Sequence, residues 1–100
     1  MDQKNVLEDS LSLDELRKQI DEVDSQIVAL YEERMIISEG IAKAKMAMNK
    51  PIFDESREQI KLDGVVAKVK DEKNSEGIKN VFRVLMDESK KLQRIVTEGK

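Results

Sequence analysis

The chain has 100 residues, of which 39% are apolar and 39% are charged, and its sequence contains no Cys and no His. This composition excludes disulfides, thiolate zinc sites and catalysis by a thiol or imidazole nucleophile, and the length supports one domain with a small core. The net charge of −3 comes from interspersed acidic and basic residues, so we expect no nucleic-acid partner. No segment resembles a membrane span or a signal peptide, so we expect a cytoplasmic protein.

Residues that break helices are scarce, with four Gly and one Pro in the whole sequence. Together with abundant Glu, Lys, Leu and Met, this scarcity predicts an all-α fold. Residues 1–11 show no sustained periodicity and are predicted to be a flexible arm. Residues 12–97 are predicted to form the domain, and residues 98–100 a short tail.

The first predicted helix covers residues 13–48, where apolar residues recur at intervals of three and four. Ser12 is predicted to cap this helix, and Pro51 to end it, because proline disfavours helical geometry at the preceding residue. At about 1.5 Å per residue the helix would be roughly 54 Å long, whereas a compact 100-residue domain has a radius of gyration of about 13 Å. We therefore predict an intertwined homodimer in which the long helices cover each other.

Two shorter helices are predicted to follow. The second starts after Asp54, a favourable N-cap residue, continues to about Lys70, and carries the apolar residues Ile60, Leu62, Val65, Val66 and Val69. The polar run 71–77 is predicted to be a loop, with Ser75 as the cap of the third helix. The apolar stripe of that helix consists of Ile78, Phe82, Leu85, Leu92 and Val96.

Polar side chains interrupt these apolar stripes. Arg34 takes an apolar position of the first helix, and Lys45 lies eleven residues later, rotated by only about 20° around the helix. Ser89 takes the vacant position of the third stripe, and Gln93 lies one turn further on the same face. Each residue also has an explanation without a ligand: a polar residue that sets coiled-coil register, a solvated flank, or a serine bonded to its own backbone.

More charged residues lie near the helix starts. Asp54, Arg57 and Glu58 surround the start of the second helix, where capping and solvent exposure would explain them, and a salt bridge at the rim would explain Arg17. Together with the residues above, however, they supply several cations, an amide, a hydroxyl and a carboxylate, which suits a small polyanion that carries a hydroxyl. Arg17 and Lys45 would lie roughly 42 Å apart on one helix, so they can serve one pocket only from different chains.

In their order and spacing, these residues resemble the all-helical (type II) chorismate mutase family. The resemblance covers about residues 10–97 and depends on the segments LRKQIDEVD (16–24), ER (33–34), KAK (43–45), PIFDESRE (51–58) and DESKKLQ (87–93). It implies a domain-swapped dimer of three-helix chains with two pockets. It also implies the Claisen rearrangement of chorismate, a dianion, to prephenate at the branch toward phenylalanine and tyrosine, with no cofactor and no metal.

The resemblance implies a role for each polar residue. Arg17 would reach a substrate carboxylate from the partner chain, and Arg34 would bind a carboxylate within its own chain. Lys45 and Gln93 would both donate hydrogen bonds to the ether oxygen, where negative charge grows as the C–O bond breaks.

The remaining residues would form the rest of the pocket. Glu58 would accept a hydrogen bond from the ring hydroxyl with the Asp54 backbone nearby, and Ser89 and Arg57 would complete the polar wall. The cluster of Asp54, Arg57 and Glu58 favours a mutase over isochorismate pyruvate-lyase, an alternative with the same helices. A non-catalytic helical dimerisation module is the second alternative, and the polar interruptions of the stripes argue against it.

Overall fold

The computed structural model describes residues 12–99, which form three α-helices. They are α1, Leu13–Ala47; α2, Glu55–Ala67; and α3, Ser75–Glu98, with a short 3-10 helix, Glu72–Asn74, directly before α3. No strand occurs within residues 12–99. This confirms the predicted all-α fold with a long, a short and a medium helix. The predicted arm, residues 1–11, lies outside the described residues.

The chain divides into two compact units, Met1–Arg34 and Met35–Lys100. The described part of the first unit is α1 up to Arg34, preceded by Ser12. The second unit contains the end of α1 together with α2 and α3, and in it α2 packs against α3. The domain limits predicted from the sequence, 12–97, stay a prediction. In the described part of the chain, no helix is both long enough and apolar enough to cross a membrane.

Local sequence signals explain both ends of α1. The Ser12 hydroxyl accepts a hydrogen bond from the Glu15 backbone N–H at 3.2 Å, which confirms Ser12 as a cap. At the other end Asn49 adopts a left-handed conformation with φ of 59°, and the Lys50 N–H returns to the Lys45 carbonyl at 2.8 Å. This reversal before Pro51 closes the last carbonyls of the helix and turns the chain back.

The start of α2 was also predictable from local chemistry. Asp54 is extended, with φ of −136° and ψ of 97°, and its carboxylate accepts from the Arg57 N–H at 3.1 Å, as expected of an N-cap. The helix ends at Ala67, three residues before the predicted limit at Lys70. Ile60 does not join the buried stripe: its side chain is 60% exposed, whereas Leu62 is buried.

The segment before α3 differs from the predicted loop over residues 71–77. The Asp71 carboxylate accepts from the Lys73 N–H at 3.2 Å and caps the 3-10 helix, which continues directly into α3. Ser75 is therefore not a cap, and that prediction is wrong: it is the first residue of α3, with φ of −60° and ψ of −46°. Gly77 lies inside the helix.

The second unit buries few side chains. Its buried apolar residues are Ala42, Leu62 and Met86, and its buried polar residues are Ser38, Ser89 and Gln93. Since Met86, Ser89 and Gln93 recur at intervals of three and four, one face of α3 supplies half of this set. Half of the buried residues of the second unit are therefore polar, which is unusual for an interior, because polar side chains are mostly exposed in folded proteins.

The apolar stripe of the first unit is exposed. Ile20, Ile27 and Leu30 are 58%, 57% and 63% exposed, and Leu13 and Val23 are also more than half exposed. Large apolar side chains that recur along one helix face in this way are typical of a surface that another helix covers.

Candidate active site

Lys45 lies in the last turn of α1, and a carbonyl of the following loop holds its side chain. The Lys45 Nζ donates to the Ile52 carbonyl oxygen at 2.8 Å, and the side chain is partly buried. The left-handed turn at Asn49 makes this contact possible, because it returns residue 52 toward the helix that precedes it. An ammonium carries three protons, so two remain for other acceptors.

Asp54, Arg57 and Glu58 come together at the start of α2, as predicted. The Asp54 carboxylate accepts from the Arg57 N–H at 3.1 Å and from the Ser56 hydroxyl at 2.9 Å. The Arg57 N–H and then the Ser56 hydroxyl hold the pKa of Asp54 below its usual value of 3.8. Desolvation opposes them, and Lys45 adds a smaller attraction. Asp54 therefore remains a carboxylate. Its backbone carbonyl oxygen accepts a hydrogen bond from the Glu58 backbone N–H at 3.0 Å.

Glu58 forms an ion pair with Lys90, which is not among the residues predicted from the sequence. The Lys90 Nζ lies 3.1 Å from Glu58 Oε2 and 3.4 Å from Glu58 Oε1, and 3.3 Å from Asp87 Oδ1. The same Nζ lies 4.7 Å from the centre of the Phe53 ring, a cation–π distance. The sequence gives little sign of this contact, since Lys90 lies in the charged run DESKK and no sequence feature distinguishes it from Lys91.

The pKa of Lys90 lies above its usual value of 10.5. Partial burial is the largest single influence and acts to lower the pKa, but the hydrogen bonds and charges of Glu58 and Asp87 together outweigh it. Lys90 is therefore a permanent cation at ordinary pH.

Ser89 and Gln93 are both buried on the face of α3 where they were predicted. The Gln93 Nε2 donates to the Ser38 hydroxyl at 3.0 Å and approaches the Ser38 carbonyl oxygen at 3.2 Å. Since a carbonyl only accepts, this contact assigns the amide nitrogen, rather than its oxygen, to the side of α1. The Ser89 hydroxyl points toward the Met35 sulfur at 3.9 Å, a weak acceptor.

Ser38 is the second functional candidate that the sequence does not predict. It lies seven residues before Lys45, so the two share one face of α1 with a rise of about 10 Å between them. A single serine within a helix has no distinguishing signal in the sequence, because its partner lies 55 residues away.

Arg17 and Arg34 belong to the first unit. Arg17 is exposed on α1, and Arg34 is partly buried. Their participation in one pocket with the residues of the second unit stays a prediction.

A cavity of about 420 Å³ opens beside Lys45, bounded by the end of α1, the turn after it and Thr97 of α3. Of the eight predicted site residues, Lys45 alone lines it, so this cavity is not by itself the predicted pocket. Within residues 12–99, no cluster of three or more carboxylate or imidazole side chains could hold a metal ion.

Comparisons with known proteins complete the description of this site. The family model of chorismate mutase type II matches residues 16–94, a segment that contains all eight predicted site residues. A chorismate mutase from Methanocaldococcus jannaschii is 36% identical over 84 residues, which cover 82% of this chain and 84% of that protein. No solved structure gives a significant match. From the extent of both sequence matches, the chain belongs to the type II chorismate mutase family of isomerases.

Proposed function

We propose that this chain carries out its chorismate mutase reaction by selecting one substrate conformer and stabilising charge on the ether oxygen. The family match supports the activity, and chorismate is the substrate that the family implies. The observation that carries the proposal is that the matched segment, 16–94, contains every predicted polar residue of the site. The rearrangement transfers no proton to the protein and forms no adduct, so a chain without Cys or His has the residues it needs.

Electrostatic stabilisation of the ether oxygen is assigned to Lys45 and Gln93. Two N–H groups of the Lys45 ammonium remain after its hydrogen bond to the Ile52 carbonyl. The substrate oxygen can therefore accept a hydrogen bond from one of them while the Ile52 contact stays in place. The Gln93 amide nitrogen has two protons, and both Ser38 acceptors lie within reach of it. Donation to the substrate therefore requires Gln93 to share or release one Ser38 contact, whereas Lys45 is already oriented by its own bond.

Binding of the dianion is assigned to Arg17 and Arg34, one for each end of the substrate. Guanidinium groups suit carboxylates because they are planar, bidentate and always charged. Glu58 would accept from the ring hydroxyl, and Arg57, Ser89 and the Asp54 backbone would complete the wall.

The complete pocket, in this proposal, needs a homodimer. The apolar stripe of the first unit is exposed in the single chain, with Ile20, Ile27 and Leu30 all more than half exposed. The second unit has only a small apolar interior among its described residues. Pairing of two copies would cover the stripe and bring Arg17 of one chain to the site of the other.

The decisive experiment follows the loss of chorismate absorbance with the purified protein, confirmed by acid conversion of the product to phenylpyruvate. Lys45→Ala should lower kcat by about 100-fold or more, because it removes the cation at the developing charge. Lys43→Ala, which changes an exposed lysine of the same helix, should leave the rate unchanged.

Two other outcomes would replace the proposal. Formation of salicylate and pyruvate from isochorismate, without turnover of chorismate, would identify the lyase activity. Failure to bind a bicyclic mimic of the transition state would identify a non-catalytic helical module.

A further inference from the structure

Lys90 connects three parts of the second unit through one ammonium group. Its Nζ contacts the Glu58 carboxylate of α2 at 3.1 Å, the Asp87 carboxylate of α3 at 3.3 Å, and the Phe53 ring before α2 at 4.7 Å. The Lys90 side chain is only 18% exposed, and that of Glu58 is 26% exposed. Ion pairs on an open surface contribute little, but this pair is mostly shielded from water and has an aromatic face beside it.

The neighbouring lysine shows what an ordinary surface contact looks like in the same helix. The Lys91 Nζ lies 3.1 Å from Glu88 Oε1, and its side chain is 67% exposed. Both residues of that pair lie on α3, so the pair connects nothing beyond its own helix turn. Lys90 differs because one of its partners lies on α2, 32 residues earlier in the sequence.

We propose that Lys90 is a positioning residue for Glu58. It holds the Glu58 carboxylate in the orientation that accepts a hydrogen bond from the ring hydroxyl of chorismate. The inference rests on the proposed function, in which Glu58 binds that hydroxyl. Both Glu58 oxygens lie within 3.4 Å of the Lys90 Nζ, so the plane of the carboxylate has a defined orientation before the substrate arrives. Each carboxylate oxygen accepts more than one hydrogen bond, so acceptor capacity remains for the hydroxyl.

Two physical effects would make this arrangement useful. A free glutamate side chain loses rotamer entropy when it binds, and the ion pair imposes that loss during folding instead. The substrate is also a dianion, which a lone carboxylate would repel. The positive charge of Lys90 offsets the negative charge of Glu58. The Glu58 carboxylate can therefore accept a hydrogen bond from the hydroxyl while repelling the two substrate carboxylates less.

The test compares Lys90→Met with Lys91→Met, because methionine preserves most of the apolar stem and removes only the charge. Lys90→Met should raise KM for chorismate about five-fold and change kcat by less than about two-fold, since the hydroxyl contact is present in both ground and transition states. Lys91→Met should match the wild type. The separate variant Lys90→Arg, which preserves the charge, should have a KM within about two-fold of the wild-type value.

A double-mutant cycle separates positioning from a general structural effect. Glu58→Gln alone should raise KM, and adding Lys90→Met to it should change KM by less than about two-fold, because the carboxylate to be positioned is already gone. Should Lys90→Met not fold, Phe53→Leu provides the second test, with an expected KM increase of about three-fold from loss of the ring contact, and a KM equal to that of the wild type would count against the inference.

Equal KM values for Lys90→Met and Lys91→Met, or fully multiplicative effects of Lys90→Met and Glu58→Gln, would overturn the inference while the proposed function stands. A wild-type protein inactive on chorismate would overturn the proposed function, and the inference with it. The wild-type rate therefore distinguishes the two failures.

Discussion

The Gln93 side-chain amide nitrogen lies 3.0 Å from the Ser38 hydroxyl and 3.2 Å from the Ser38 carbonyl oxygen, and both residues are more than nine-tenths buried. This contact joins α3 to α1 inside the second unit. It also determines which way the amide of Gln93, a proposed catalytic residue, faces.

Ser38→Ala should destabilise the protein by about 1 kcal/mol, because the buried Gln93 amide loses one of its acceptors. The measurement is urea unfolding at a fixed protein concentration, since the proposed dimer would make stability depend on concentration. Ser25→Ala is the matched control: the Ser25 hydroxyl donates to the Asp21 carbonyl of its own helix at 3.0 Å and is exposed. Identical unfolding midpoints for the two variants would contradict the importance of the Ser38 contact.

Gln93→Glu should be active only at acidic pH. A carboxyl group can donate to the substrate oxygen only when it is protonated, whereas the wild-type amide donates at any ordinary pH. Above the pKa of the new carboxyl, kcat should fall about ten-fold per pH unit, and the wild-type profile should stay nearly flat over the same range. A flat profile in the variant would count against a donor role for Gln93.

Mixing inactive Arg17→Ala chains with inactive Lys45→Ala chains should restore activity. Each heterodimer would contain one intact site, so random exchange of equal amounts should give about a quarter of the wild-type rate. Arg34→Ala mixed with Lys45→Ala should give no recovery, because both residues are assigned to the pocket from one chain. If neither mixture recovers although subunit exchange is verified, the shared pocket is wrong.

Ile27→Glu should weaken the proposed dimer and lower activity together. Ile27 is 57% exposed in the single chain, and a charge there would be buried without a partner when two helices pair. Sedimentation at several protein concentrations measures the effect, with Ser25→Glu, on the opposite side of α1, as the control. A variant that stays dimeric at every concentration would show that the stripe is not the interface.

Asp54→Ala should destabilise the protein in a pH-dependent way. Because folding lowers the pKa of Asp54 below 3.8, this carboxylate stabilises the folded state above that pH and stops doing so as the pH falls through the folded value. The difference in urea midpoint between wild type and Asp54→Ala should therefore shrink on acidification. A pH-independent difference between wild type and Asp54→Ala would refute the cap.

Much of the fold was predictable because it depends on residues close together in the chain. Ser12 and Asp54 cap helices through N–H groups three residues away, and Pro51 acts on the residue before it. The segment 71–77 was harder, because Asp71 and Ser75 are both favourable caps and the short 3-10 helix between them has no periodicity of its own.

By itself, then, the amino-acid sequence determined three helices, the caps of the first two and the polar positions on their stripes, because neighbours within about four residues decide helix geometry. It could not tell Lys90 from Lys91, or Ser38 from any other helical serine. Only the packing of α2 and α3 in the second unit made Lys90 the partner of Glu58, and only the contact between α1 and α3 made Ser38 the partner of Gln93. The physical reason is that a side chain's partner across helices depends on how those helices are rotated against each other, which is a property of the packed unit.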